Sequence, residues 1–130
     1  MGRKQIMDIN IENPITALLL FTTIAQTSPD ANDAKEAAEQ AQEVIDRYEF
    51  GEEVIASTKA MSKKLIAKHS KKYFIEVHLG DGSMSLVACS SKATLRTGLK
   101  KFQTDYPGSV QISFNEAFPA LWNAIAEGRA

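Results

Sequence analysis

Cysteine is nearly absent from this chain. Cys89 is the only one, so no intrachain disulfide can form, and a reducing compartment is the expected home. Charge of one sign is lacking too: 15 Lys and Arg stand against 16 Asp and Glu, a net charge of -1, which removes the bulk basicity of a general nucleic-acid or anionic-membrane binder. Four prolines and seven glycines are too few and too scattered for a Pro-rich or Gly/Ser linker, and no internal repeat is present. The longest apolar run, Ile15 to Ala25, falls short of the roughly 20 residues that span a bilayer. Arg3 and Lys4 precede it in the manner of a secretory signal, but Asp8 and Glu12 interrupt the basic region and Pro14 opens the run. A cytoplasmic protein without a membrane partner is expected.

Motifs that carry chemistry are also missing. His69, His78 and Cys89 show no His-x-x-x-His or Cys-x-x-Cys spacing, so no metal or cofactor is expected. The serines sit in no Gly-x-Ser-x-Gly elbow, and Gly80-Asp81-Gly82-Ser83 lacks the lysine and the glycine spacing of a phosphate-binding loop. No enzyme is expected on these grounds, although a site assembled only in three dimensions would leave no such trace.

What remains is a globular composition, 44% hydrophobic, in a 130-residue chain of the commonest length for one domain. Its most legible stretch is 73–90. Asp81-Gly82 reads as a two-residue type I′ turn of a β-hairpin. That register sets Leu79 opposite Met84, Val77 opposite Leu86, Ile75 opposite Ala88 and Tyr73 opposite Ser90 on one apolar face. The other face would carry His78 with Ser85, Glu76 with Val87 and Phe74 with Cys89.

Upstream, Ile6, Ile9 and Ile11 alternate weakly in an N-terminal arm, 1–12. Asn13-Pro14 then caps a helix expected over 14–26, apolar around its whole circumference and therefore central to the fold or half of a homodimer interface. Ser28-Pro29-Asp30 opens a second helix reaching Phe50, with Ala34, Ala37, Ala38, Ala41, Val44, Ile45 and Tyr48 as its inward stripe. Gly51 reads as its C-cap, and a third helix follows over 52–69 with Val54, Ile55, Thr58, Met61, Leu65 and Ile66 inward, antiparallel to the second. After the hairpin, Ser90 or Ser91 caps a helix reaching Tyr106, and Ser109 to Phe114 alternates as a third strand with Val110, Ile112 and Phe114 inward. Strand, helix and strand form a βαβ unit. A last helix runs to Glu127 from Asn115 or from Phe118, Pro119 favouring the later start. The expected fold is α+β, in the order α-α-α-β-β-α-β-α: a helical half, 13–70, packed with a small three-stranded mixed sheet in a ββαβα half, 72–128, as a single domain.

Charge distribution is the one functional signal. Asp33, Glu36, Glu39, Glu43 and Asp46 lie on the second helix, within a stretch that is strongly acidic. Lys59, Lys63, Lys64, Lys68, Lys71 and Lys72 follow without an acid among them, and Lys92, Arg96 and Lys100 repeat every four residues on the fourth helix. The plainest reading lets acidic and basic helices attract each other across their rims. A sharper one makes Asp33, Glu36, Glu39, Glu43 and Asp46 a docking face for a basic protein partner. A third lets Lys63, Lys64, Lys68, Lys71, Lys72, Lys92, Arg96 and Lys100 grip nucleic-acid phosphates, although no RNP or helix-turn-helix pattern accompanies them. Protein binding ranks above nucleic-acid binding. By profile alone, a compact, acidic-faced chain without catalytic motifs resembles phage or mobile-element inhibitors of bacterial defence, such as anti-CRISPR and antirestriction proteins, and the expected function is an inhibitor or adaptor of that kind.

Overall fold

The computed structural model describes residues 13–129, so the N-terminal arm expected over 1–12 lies outside the described residues. Helices α1 (Pro14–Thr27), α2 (Ala31–Tyr48) and α3 (Glu52–Ser70) are followed by strands β1 (Tyr73–His78) and β2 (Met84–Cys89), helix α4 (Lys92–Asp105), strand β3 (Val110–Ile112) and helix α5 (Phe114–Ala126). The α+β class and the order of elements are those expected. The chain clusters into two compact units, 13–66 with 122–129 and 67–121.

In the first unit, Asn13 Oδ1 accepts from the backbone N–H groups of Ile15 and Thr16 at 2.9 and 3.4 Å, and Pro14 takes the first helical position of α1, where no N–H is needed. The cap of α2 is Asp30 rather than Ser28: its carboxylate accepts from Asn32 and Asp33 N–H, and Pro29 stays outside the helix. Ala17, Leu18, Leu20, Phe21 and Ile24 of α1 are buried, and α1 packs closely on α2, whose own buried residues are the small Ala37 and Ala41. Small side chains let the two helix axes approach.

Against α1 the third helix turns polar groups. Thr58 and Ser62 are buried, whereas Met61, expected inward, is 49% exposed, as is Tyr48. Thr23 Oγ1 donates to Leu19 O at 2.8 Å, which leaves it as acceptor for Ser62 Oγ, also at 2.8 Å, while Gln26 Nε2 donates to Ser62 Oγ at 3.1 Å. Trp122 Nε1 donates to Thr27 Oγ1, and Thr27 in turn donates to Thr23 O. Each of these hydroxyls is satisfied, which buried polar groups require.

The C-terminus of α2 differs from expectation. Glu49, not Gly51, occupies the left-handed position at φ 51°, and Phe50 N–H closes back onto Ile45 O at 3.1 Å, beside stacked rings of Tyr48 and Phe50. A residue with a Cβ pays about 1–2 kcal/mol to sit there.

In the second unit the strand order is β2-β1-β3, and both pairings are antiparallel. The mixed sheet expected from the βαβ connection is corrected by β1: it lies between β2 and β3, so those two run parallel without bonding each other. The hairpin register is also corrected, by one residue. Tyr73 faces Cys89, Ile75 faces Val87 and Val77 faces Ser85, because the loop has three residues instead of two. Gly82 N–H bonds to Leu79 O, Leu79 N–H bonds to Ser83 O, and Gly82 sits at φ 87°. A turn followed by a left-handed glycine is the usual three-residue alternative.

The slip exchanges the faces of β2. Cys89 and Val87 join Tyr73, Ile75 and Val77 in the core under Leu95, Leu99, Phe102 and Tyr106, and Gly98 of α4 faces Ile75, whose Cδ1 would lie 3.4 Å from an added Cβ. Met84, Leu86 and Ala88, expected in that core, lie on the other face, with Met84 60% exposed. There Phe74, 1% exposed, meets Phe114 with ring centroids 6.0 Å apart. Phe114 belongs to α5 rather than to the third strand, and Val110 is 45% exposed. Pro119 is inside α5, because the Glu116 carboxylate reaches back to Ser113 N–H in half of a capping box and starts the helix early.

Two substitutions test the left-handed positions. Glu49→Gly should raise unfolding stability by about 1 kcal/mol, and Gly82→Ala, whose added Cβ meets nothing within 4 Å, should lower it by about 1 kcal/mol through φ alone. Urea denaturation reads both, and a destabilised Glu49→Gly would contradict the assignment.

Candidate partner-binding surface

An α-helix advances about 100° per residue. On α2 this sets Glu36, Glu39, Glu43 and Asp46 within an arc of about 80°, spread over about 15 Å of axis, on the side away from Ala37 and Ala41. Because Ala37 and Ala41 are committed to α1, the acids are forced outward. Glu39, Glu43 and Asp46 are exposed, Glu36 and Asp33 are half-buried, and Asp33 Oδ1 has no hydrogen-bond partner among the described residues. Among the described residues no ion pair joins Glu39, Glu43 or Asp46 to a lysine, and Asp46 accepts only from Gln42 Nε2, at 2.9 Å.

The lysines are less gathered. On α3, Lys59 and Lys63 share one side, whereas Lys64 and Lys68 lie about 100° and 140° further round from Lys63. Lys63, Lys64, Lys68 and Lys71 are exposed and Lys72 is half-buried. In the second unit Lys92, Arg96 and Lys100 are exposed along α4, beside the stripe that covers the sheet.

Sequence reasoning missed a groove. Between α1, α2 and α3 the first unit opens a cleft of about 430 Å³, walled by Leu18, Ala38, Ala41, Ile45 and Ile55 and edged by Gln42, Lys59 and Lys63. The alanine stripe of α2 is wider than α1 alone can cover, and that excess was its only trace in the sequence.

The groups with nucleophilic or ligating side chains do not converge. His78 and Cys89 are on opposite faces of the sheet, in contrast to the shared face expected for them. His78 Nε2 meets Glu76 Oε1 at 2.7 Å, and Cys89 is buried, which pushes its thiol pKa up and disfavours the thiolate. Among the described residues no cluster of three or more His, Cys, Asp or Glu is arranged to hold a metal, and no helix is long and apolar enough to cross a membrane. At the turn, hydrogen bonds from Ser83 hold the Asp81 carboxyl below its ordinary range, which is turn chemistry.

His69 is 5% exposed and its Nδ1 has no partner among the described residues. Burial first, then the Lys72 and Lys68 charges, lower its pKa from 6.5 to about 4. The unfolded chain therefore takes up the proton first, so the contribution of neutral His69 is complete above pH 6.5 and is lost as pH falls toward 4. Stability should drop by about 1–2 kcal/mol between pH 7 and pH 5. His69→Leu should flatten that slope in urea titrations, and an unchanged slope would contradict the assignment. Comparison of the chain with protein-family models, with curated proteins and with solved structures finds no match.

Proposed function

We propose that the chain is a non-enzymatic, cytoplasmic binding protein that presents the outer face of α2 to a basic surface of a protein partner. The observation that carries this reading is the exposure of Glu39, Glu43 and Asp46 on one face without a lysine paired to any of them among the described residues. Unneutralised charge of one sign in a row raises the encounter rate with a surface of the opposite sign and selects against acidic partners. The carboxylates of Glu39, Glu43 and Asp46, spread over about 10 Å of helix axis, fit a site that normally receives phosphates. The corresponding role is an inhibitor or adaptor that occupies the basic site of a nucleic-acid-handling protein, as an anti-CRISPR or antirestriction protein of a phage or mobile element would.

The lysines are the competing surface. Lys92, Arg96 and Lys100 offer one exposed row for phosphates, whereas those of α3 are divided between two sides of the helix. Direct nucleic-acid binding would therefore be weak.

Two measurements separate the readings. Replacing Glu39, Glu43 and Asp46 by lysine should reduce capture of the partner from a bacterial lysate at least tenfold with an unchanged circular dichroism spectrum; undiminished capture contradicts the proposal. In a mobility-shift assay at about 50 mM salt, the regime in which phosphate contacts are strong, duplex DNA and single-stranded RNA should remain unshifted. A shift lost on Lys92→Ala with Arg96→Ala would transfer the function to α4.

A further inference from the structure

The groove between α1, α2 and α3 lies directly beside the acidic face. Its floor and walls are mostly apolar, with Leu18 from α1, Ala38, Ala41 and Ile45 from α2 and Ile55 from α3, while Thr22 and Gln26 make the α1 side partly polar. Its two edges carry opposite charge. Lys59 and Lys63 stand along the α3 edge. On the α2 edge Gln42 holds Asp46 at 2.9 Å, and Glu39 follows within about 20° of Asp46 around the helix. Along α2 the groove runs from Ala38 to Ile45, which is about 10 Å or two helical turns. That length matches the i, i+4, i+7 anchors of a helix lying in a groove.

We propose that this groove receives an amphipathic helix of the partner protein. The helix inserts its apolar ridge between α2 and α3, with acidic residues along the flank that meets Lys59 and Lys63 and basic residues along the flank that meets Asp46 and Glu39. The volume of about 430 Å³ accommodates a few large apolar side chains and not a whole helix, so the partner's polar side remains in water. A small amphiphilic anion would answer the two lysines only. A ligand charged oppositely on its two sides answers both edges, and with an apolar ridge an α-helix supplies all three features. This proposal rests on the reading of the outer face of α2 given above, and it names the class of partner.

The test uses the full chain and three synthetic helices of about 15 residues with the same leucine ridge. One has glutamate on one flank and lysine on the other, one has lysine on both flanks, and one has glutamate on both. By fluorescence anisotropy the mixed helix should bind at least tenfold tighter than either uniform one. It should also shift the methyl resonances of Ile45 and Ile55. Lys59→Glu combined with Lys63→Glu should move the preference to the all-lysine helix, which a generally sticky surface would not do. Ala38→Trp, at an exposed position that fills the groove without entering the core, should weaken the mixed helix about tenfold. Equal binding of the mixed and all-lysine helices to the unaltered chain would overturn the groove proposal while leaving the acidic face of α2 intact as a docking surface. Binding of none of the three would overturn the groove proposal outright. Tight binding of the mixed helix that survives Glu39→Lys with Asp46→Lys would overturn the role of the acidic face.

Discussion

Helix α1 must bury an apolar face that takes up nearly half of its circumference, and that constraint organises the first unit. Its buried residues, Ala17, Leu18, Leu20, Phe21 and Ile24, fill an arc of about 160° that has to be covered, whereas Ile15 and Gln26 on the opposite side are exposed. Ala37 and Ala41 of α2 give close approach on one side, and Thr23, on the side of α3, is covered by a hydrogen bond to Ser62. The burial of Thr23 is tolerable only because every hydroxyl in the chain from Trp122 to Ser62 has a partner. With its alanines committed to α1, α2 has one side left for its carboxylates. The charged surface is thus a consequence of how α1 is buried.

The second unit depends on one glycine in the same way. A left-handed Gly82 lengthens the hairpin loop to three residues, and with side chains alternating across the strand a single step moves every residue of β2 to the opposite face. Cys89 consequently goes into the core with Ile75 and Val77, away from His78. The expected register already kept His78 and Cys89 about four residues apart along the ribbon, too far for a thiol-imidazole pair, and the observed one also puts them on opposite faces.

Much of this was legible in the chain because local chemistry and burial agree there. Asn13-Pro14 and Ser91 mark helix starts by offering side-chain acceptors to unpaired N–H groups, and the apolar spacing separates helix from strand. Where two local signals compete, the sequence does not decide. Asp81-Gly82 suits a two-residue and a three-residue loop equally. Pro119 argues against a helix that the Ser113 and Glu116 pairing starts, and Gly51 advertises a left-handed turn that Glu49 takes instead. Buried Ser62 was unreadable because nothing in its neighbours announces a polar partner on α1. The acidic face of α2 could be read from periodicity alone, whereas the groove beside it needs the spacing of three helices, which no single helix encodes.

The proposed function turns on whether the charge of α2 is unneutralised in the folded protein. Exposed like charges on one helix face repel, and salt relieves that repulsion, whereas salt weakens pairs of opposite charge. The direct measurement is the thermal midpoint as sodium chloride rises from about 10 mM to about 150 mM, across which the screening length falls to below about 10 Å. If Glu39, Glu43 and Asp46 stand unpaired, the midpoint rises, and the rise disappears when these three residues are replaced by glutamine and asparagine. A midpoint that falls with salt, with the fall abolished by the same replacements, would show the acids already paired and would contradict the account.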